Sequence, residues 1–202
     1  MRIGPKYKIA RRLGAPVFEK TQTPKYALSL ARKERSDNRG RRKPKSEFGR
    51  ELIEKQKARF SYGIGEKQFR NYVTKALHSP DPVQRLFSIL ESRLDNLLYR
   101  AGLAKTRAQA RQAANHGHIM INNARVTIPS ILLSEGDVVS LRAGSASSPL
   151  FGEVAERMKT VAMPAWLKVD PANRSVTVEA QPVYVERENI FDLGVVIEFY
   201  NR

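Results

Sequence analysis

Residues 105–122 read Lys-Thr-Arg-Ala-Gln-Ala-Arg-Gln-Ala-Ala-Asn-His-Gly-His-Ile-Met-Ile-Asn. Thr106 followed three residues later by Gln109 has the spacing of a capping box, which predicts a helix start at this point. Ala108, Ala110, Ala113 and Ala114 favour helix and are small enough to let it pack closely on a neighbour. Arg107 and Arg111 are four apart and share a helix face. Gly117 stops the helix. Residues 118–122 and 125–128 alternate as strands, joined through Asn122-Asn123, where asparagine tolerates the left-handed turn conformation. Gly136-Asp137 leads to a further strand over 138–142. Helices feeding a small antiparallel sheet make a compact α+β module.

Outward from this module the pattern is helical. Ser46 is placed to cap a helix to about Phe60, with Phe48, Leu52 and Phe60 at helical spacing. Tyr62-Gly-Ile-Gly65 breaks it. A cleaner helix is predicted over 66–77, with Phe69, Tyr72, Val73, Ala76 and Leu77 on one face. Ser79-Pro-Asp-Pro82 ends it. A single helix is predicted over 83–101, with Val83, Leu86, Phe87, Leu90, Leu94, Leu97 and Leu98 in one stripe and Gly102 as its stop. Past a Gly/Ser/Ala loop at 143–148, a helix is expected at 151–161 and a turn with a large aromatic anchor at 163–167. Strands are expected at 175–180 and 183–186, and 195–200 suits either a strand or a short helix. The expected fold is α+β. A mainly helical domain, 46–91 and 150–202, receives the small module at 92–149, and 1–45 forms a basic N-terminal arm with short helices near 8–13 and 26–33.

The chain carries a net charge of +16 over 202 residues. Residues 1–50 hold 16 Lys and Arg against 4 Asp and Glu, a net +12, whereas 151–202 hold 6 against 8. Such an uneven positive field attracts polyanions. No apolar run is long enough to span a bilayer, and the first residues do not read as a secretory leader. With no cysteine, disulfides and thiolate metal sites are excluded. His78, His116 and His118 offer too few ligands for a metal site. No phosphate-binding or dinucleotide glycine motif is present. No catalytic residue, metal or cofactor is assigned.

RNA binding fits these features. The candidate contacts in the module are Lys105, Thr106, Arg107, Gln109, Arg111, His116, His118 and Asn122, grouped at a helix N-terminus and the following helix–strand junction. In the arm they are Arg2, Lys6, Lys8, Arg11, Arg12, Arg32, Lys33, Arg39, Arg41, Arg42, Lys43 and Lys45. In the helical domain they are Arg50, Lys55, Lys57, Arg59, Tyr62 and Arg70. Tyr7, Tyr26, Phe60 and Tyr62 are interleaved with cations and are candidates for stacking on bases.

The run Ser92-Arg-Leu-Asp-Asn-Leu-Leu-Tyr-Arg-Ala-Gly-Leu-Ala-Lys-Thr-Arg-Ala-Gln-Ala-Arg111, followed by His116-Gly-His-Ile119, Ile121-Asn122, Val126-Thr-Ile-Pro-Ser130 and Gly136-Asp-Val138, resembles the RNA-binding domain of bacterial small-subunit ribosomal protein number four. That domain is also appended to some pseudouridine synthases, a heat-shock ribosome-binding protein and a tyrosyl-tRNA synthetase. The flanks separate these cases. Residues 46–73 resemble the ribosomal family's helical domain, and Trp166–Asp170 and 196–202 resemble its C-terminal part. The resemblance implies a cytoplasmic, ribosome-bound structural protein that binds small-subunit ribosomal RNA, nucleates subunit assembly and contributes to translational accuracy. It further implies small-subunit protein number five as a neighbour. Residues 41–50 match a region that lines the path of incoming messenger RNA. Many members carry an N-terminal cysteine cluster that binds zinc. This chain resembles the cysteine-free form, whose arm is expected to order against RNA. Asn122-Asn123 also replaces the frequent Asn-Gly of the hairpin.

Overall fold

The computed structural model describes residues 3–36 and 46–201, with side chains left undescribed at 33–36. Helices α1 (Lys6–Leu13), α2 (Pro24–Ser36), α3 (Glu47–Tyr62) and α4 (Glu66–Leu77) are followed by α5 (Pro82–Glu91), α6 (Leu94–Arg100) and α7 (Arg107–Asn115). Strands β1 (Ile119–Ile121), β2 (Ala124–Val126) and β3 (Val138–Leu141) come next. Helix α8 (Val154–Thr160), strands β4 (Leu167–Asp170) and β5 (Ser175–Val178), and helix α9 (Leu193–Asn201) complete the order. The chain divides into two compact units, 1–86 with 185–202 and 87–184.

In the first unit, α3 begins where Ser46 accepts a hydrogen bond from the Gly49 N–H at 3.2 Å. It ends at Gly63, whose φ of 63° supplies the left-handed cap. The expected helix at 66–77 is observed with those bounds. Residues 195–200, open between strand and helix in the sequence, lie in α9, which Asp192 caps by accepting from the Gly194 and Val195 N–H groups. Aromatic side chains of α3 and α4 meet this segment: Phe48 lies 5.4 Å from Phe199, Tyr62 5.9 Å from Phe191 and Phe69 6.4 Å from Tyr200. The described part of the arm is also packed. Ala10, Leu13, Val17, Phe18 and Tyr26 form a small buried cluster, and Phe18 meets Phe60 of α3 edge-on at 5.9 Å. Leu28, by contrast, is 62% exposed.

In the second unit, the strands form, among the described residues, one five-stranded antiparallel sheet of order β2-β1-β3-β5-β4. The β1–β2 hairpin turns through Asn122 and Asn123 with φ of 48° and 65°, the paired left-handed residues of a tight turn. Ala110, Ala113 and Ala114 bury one face of α7, and the core continues through Leu94, Leu97, Leu98, Ile119, Val139, Phe151, Met158, Trp166 and Val176.

Four expectations need correction. The helix over 83–101 is two helices, because the backbone at Arg93 turns extended and forms a β-bridge with Leu132. The break is stitched on both sides: Leu94 N–H donates to the Ile131 carbonyl at 2.9 Å, Asp95 N–H to Pro129 at 3.0 Å, and Leu133 N–H to Ser92 at 2.9 Å. Residues 150–184, expected in the helical domain, belong to the compact unit of the module, since β5 pairs with β3 and draws β4 with it. The helix expected from 151 begins at Val154, after a 3₁₀ turn over Pro149–Phe151. Residues 183–186 form no strand, and Glu186–Glu188 is a 3₁₀ turn.

Left-handed asparagine is tolerated but still strained relative to glycine. Asn123→Gly is therefore expected to raise stability by a few tenths to about 1 kcal/mol, read as a higher urea midpoint with an unchanged slope.

Candidate nucleic-acid interface

The N-terminus of α7 is built as its sequence suggests, with one variation. Thr106 Oγ1 accepts from the Gln109 N–H at 3.0 Å, but Gln109 Oε1 reaches back to the N–H of Lys105 at 2.7 Å and not to that of Thr106. No acidic residue occupies the first turn, so the positive end of the helix dipole is not neutralised locally.

Arg107 and Arg111 do share a face, and both are anchored from below. Asp95 is 2% exposed. Its Oδ2 accepts from Arg111 Nε at 2.9 Å and Nη2 at 2.6 Å, while Arg93 donates to Oδ1 at 3.0 Å and Oδ2 at 2.7 Å. Asn96 Oδ1 accepts from Arg107 Nε at 2.8 Å, and the Arg107 guanidinium lies 4.4 Å from the Tyr99 ring centre. Asn96 is itself held by Glu91, which is gripped by Arg100 through two bonds of 2.9 Å.

The other predicted residues of the module are distributed unevenly. His116 is exposed, and its carbonyl accepts from Arg125 Nη2 at 3.3 Å. His118 Nδ1 lies 2.9 Å from Ser145 Oγ, with its ring edge-on to Phe151. Asn122 is exposed, but its side chain is engaged: its amide donates to Asp137 at 2.8 Å and accepts from the Val138 N–H at 2.9 Å. It therefore fixes the hairpin to β3. Exposed Lys105 pairs with Glu153 at 2.7 Å. Two exposed cations not singled out from sequence, Arg125 and Arg142, join the group. Arg125 stands over Gly117, in space a Cβ there would fill, and the Arg142 N–H donates to the His118 carbonyl. Their placement, Arg125 on β2 and Arg142 just past β3, has no local sequence signal.

In the first unit, Lys8, Arg12, Arg32, Arg50 and Arg70 are exposed. Lys6 is partly covered with its ammonium 5.6 Å from the Phe18 ring, and Arg11 Nε donates to the Tyr7 carbonyl. Lys57 pairs with Glu54 at 2.6 Å. Arg59 donates to Gln56 and lies over Phe60. Two expected contacts are corrected. Lys55 is 7% exposed, bonded to Glu66 at 2.7 Å with its ammonium over Phe199, and Tyr62 is 2% exposed against Phe191. Both serve the interior as they stand. Tyr26 is likewise buried, and Tyr7 and Phe60 are engaged in ring pairs with Tyr26 and Phe18. Arg2, Arg39, Arg41, Arg42, Lys43 and Lys45 lie outside the described residues, as does the side chain of Lys33. Among the described residues, no group of three or more His, Cys, Asp or Glu could hold a metal ion, and no helix is long and apolar enough to cross a membrane.

Two family models match the chain, the S4 domain over residues 92–139 and the ribosomal protein S4/S9 N-terminal domain over residues 1–98. Small ribosomal subunit protein uS4 of Aquifex aeolicus is 39% identical, covering 99% of this chain and 98% of its own. The uS4 proteins of Halothermothrix orenii and Chlorobium phaeovibrioides are 38% and 36% identical, covering 98% and 96% of both chains. The chain belongs to the uS4 family. The uS4 match to the S4 domain starts at the stitched break at Ser92 and ends in β3, so β4 and β5 extend the unit beyond the matched residues.

In this uS4 chain the first unit holds an ionic junction between α3, α4 and α9. Burial works against the Glu66 carboxylate, but hydrogen bonds from Lys55 and Tyr200 and the charges of Lys55 and Arg59 outweigh it and hold its pKa below the ordinary 4.5. Burial and the Glu66 charge push the Tyr200 hydroxyl upward. A carboxyl depressed in the folded state stabilises fully above its unfolded pKa, and that contribution is lost as pH falls through the folded value. Stability should accordingly decline as pH drops below about 4.5. Glu66→Gln should shallow that acid limb in urea unfolding followed across pH, while lowering stability at neutral pH.

Proposed function

We propose that this protein acts as a structural RNA clamp within the small ribosomal subunit. Membership of the uS4 family makes it a constituent of the bacterial, cytoplasmic small subunit and a binder of ribosomal RNA. In the proposed mechanism α7 and the exposed Lys8, Arg12, Arg32, Arg50 and Arg70 neutralise phosphates of separate RNA helices and hold them together. Phosphate contacts of this kind position the protein without reading sequence. Binding early at an RNA junction would nucleate assembly, and the clamp would contribute to the accuracy of translation. Small-subunit protein number five is the proposed protein neighbour, and messenger RNA the proposed contact of residues 41–50. Neither needs a catalytic group, and the proposed role is not enzymatic.

The observation that carries this reading is the coincidence of end-to-end uS4 similarity with a cationic group around the α7 N-terminus and the β1–β2 hairpin. The competing reading, an RNA-modifying enzyme built on the same module, predicts an altered base after incubation with RNA.

Filter binding to small-subunit ribosomal RNA across salt tests the clamp. A protein making roughly 6–10 phosphate contacts on duplex nucleic acid loses about 10³–10⁵ in affinity between about 50 and 200 mM salt. A flat salt response would refute the electrostatic account. Subunits washed in high salt should retain the protein at one copy each, whereas a transient factor would be removed.

A further inference from the structure

The arginines of α7 are not a solvated helix face. Each is seated on a side chain of the first turn of α6, Arg111 on Asp95 and Arg107 on Asn96. We propose that Asp95 and Asn96 are positioning residues, which touch no RNA themselves but hold the two guanidinium groups in the orientation that meets phosphate. This rests on the RNA-binding reading above.

Three observations carry it. First, a carboxylate beneath an RNA-binding face is the wrong choice if charge alone matters, because it subtracts from the positive field. Nor is a buried ion cluster needed for stability, since well-packed apolar groups of similar volume commonly do as well. What it adds is direction: a carboxylate oxygen taking both Nε and Nη2 fixes the plane of Arg111, while the side chain keeps 28% of its surface open.

Second, the arrangement beneath Arg107 is locked in the same way. The Asn96 amide donates to the carbonyl and the carboxylate of Glu91, both at 3.0 Å. That leaves its oxygen directed at Arg107, whose guanidinium carbon lies 4.4 Å from the Tyr99 ring centre.

Third, Asp95 and Asn96 are placed by the break in the leucine-striped helix. The Asp95 N–H is tied to Pro129, so the anchor cannot drift along the helix axis. A long cationic side chain ordered before binding loses less freedom when phosphate arrives.

The test uses the full chain and a small-subunit ribosomal RNA transcript. Asp95→Asn raises the net charge by one and keeps the side-chain shape, yet it leaves one neutral oxygen where two charged ones hold Arg93 and Arg111. If Asp95 positions Arg111, the folded variant should bind on the order of tenfold more weakly despite its extra positive charge. In an Arg111→Ala background the same change should cost nothing further. Unchanged or tighter binding, or losses that simply add, would overturn the proposal. Should Asp95→Asn fail to fold, Arg111→Lys serves in its place, because it keeps the charge and the Arg93–Asp95 pair but loses the planar grip. It is expected to weaken binding several-fold, and parental affinity would overturn the proposal equally. Failure of the parent chain to bind the transcript would instead sink the RNA-binding reading.

Discussion

A carboxylate as deeply buried as Asp95 cannot stand alone, since removing an ion from water costs several kcal/mol unless it is paired and hydrogen-bonded. The second unit is arranged around meeting that demand. Arg93 reaches Asp95 because the chain leaves the helix at that residue, and Arg111 reaches it because α7 packs against α6 through alanines. The backbone N–H of Asp95 finds its acceptor in the loop before β3. One buried charge thereby ties together the helix break, the α6–α7 contact and the loop at 129–133. Excess positive charge is left at the surface, where the family's partner is a polyanion.

Sequence pattern revealed the elements that carry their own signals. The 66–77 helix has breakers at both ends, Gly65 before it and Ser79-Pro-Asp-Pro82 after it, and an uninterrupted apolar face. The α7 start has Thr106 and Gln109, and the hairpin has two asparagines. The break at Ser92–Arg93 has no such signal. Leu90, Leu94, Leu97 and Leu98 keep helical spacing straight through it, and the bridge to Leu132 that causes it comes from a residue nearly forty positions away. The same limit hid the membership of β4 and β5. Each is a short alternating segment, and which core it joins is decided by pairing with β3 and not by its own residues.

The candidate interface was legible in its charge and less so in its geometry. Lys55 and Tyr62 look in sequence like Arg50 or Arg70, members of a basic stretch with an aromatic nearby. What separates them is Glu66 and Phe191, which the fold brings to their side. Arg107 and Arg111 were recognisable as a pair, but their anchors at 95 and 96 lay in what read as an uninterrupted leucine helix. Asn122 likewise had the right chemistry for an RNA contact, yet its amide completes the hairpin. Spacing along one element shows which residues share a face. It does not show what the rest of the chain presents to that face.

The discontinuity of the first unit also sets a schedule for synthesis. The second unit is complete once residue 184 has emerged, but the first waits for α9. At about 5–20 residues per second, roughly 6–25 s pass between the appearance of α4 and that of α9. During that interval Phe48, Tyr62 and Phe69 lack the rings of Phe199, Phe191 and Tyr200 that later pack against them. The nascent chain thus carries a finished RNA-binding unit while aromatic side chains of the first unit still wait for their partners.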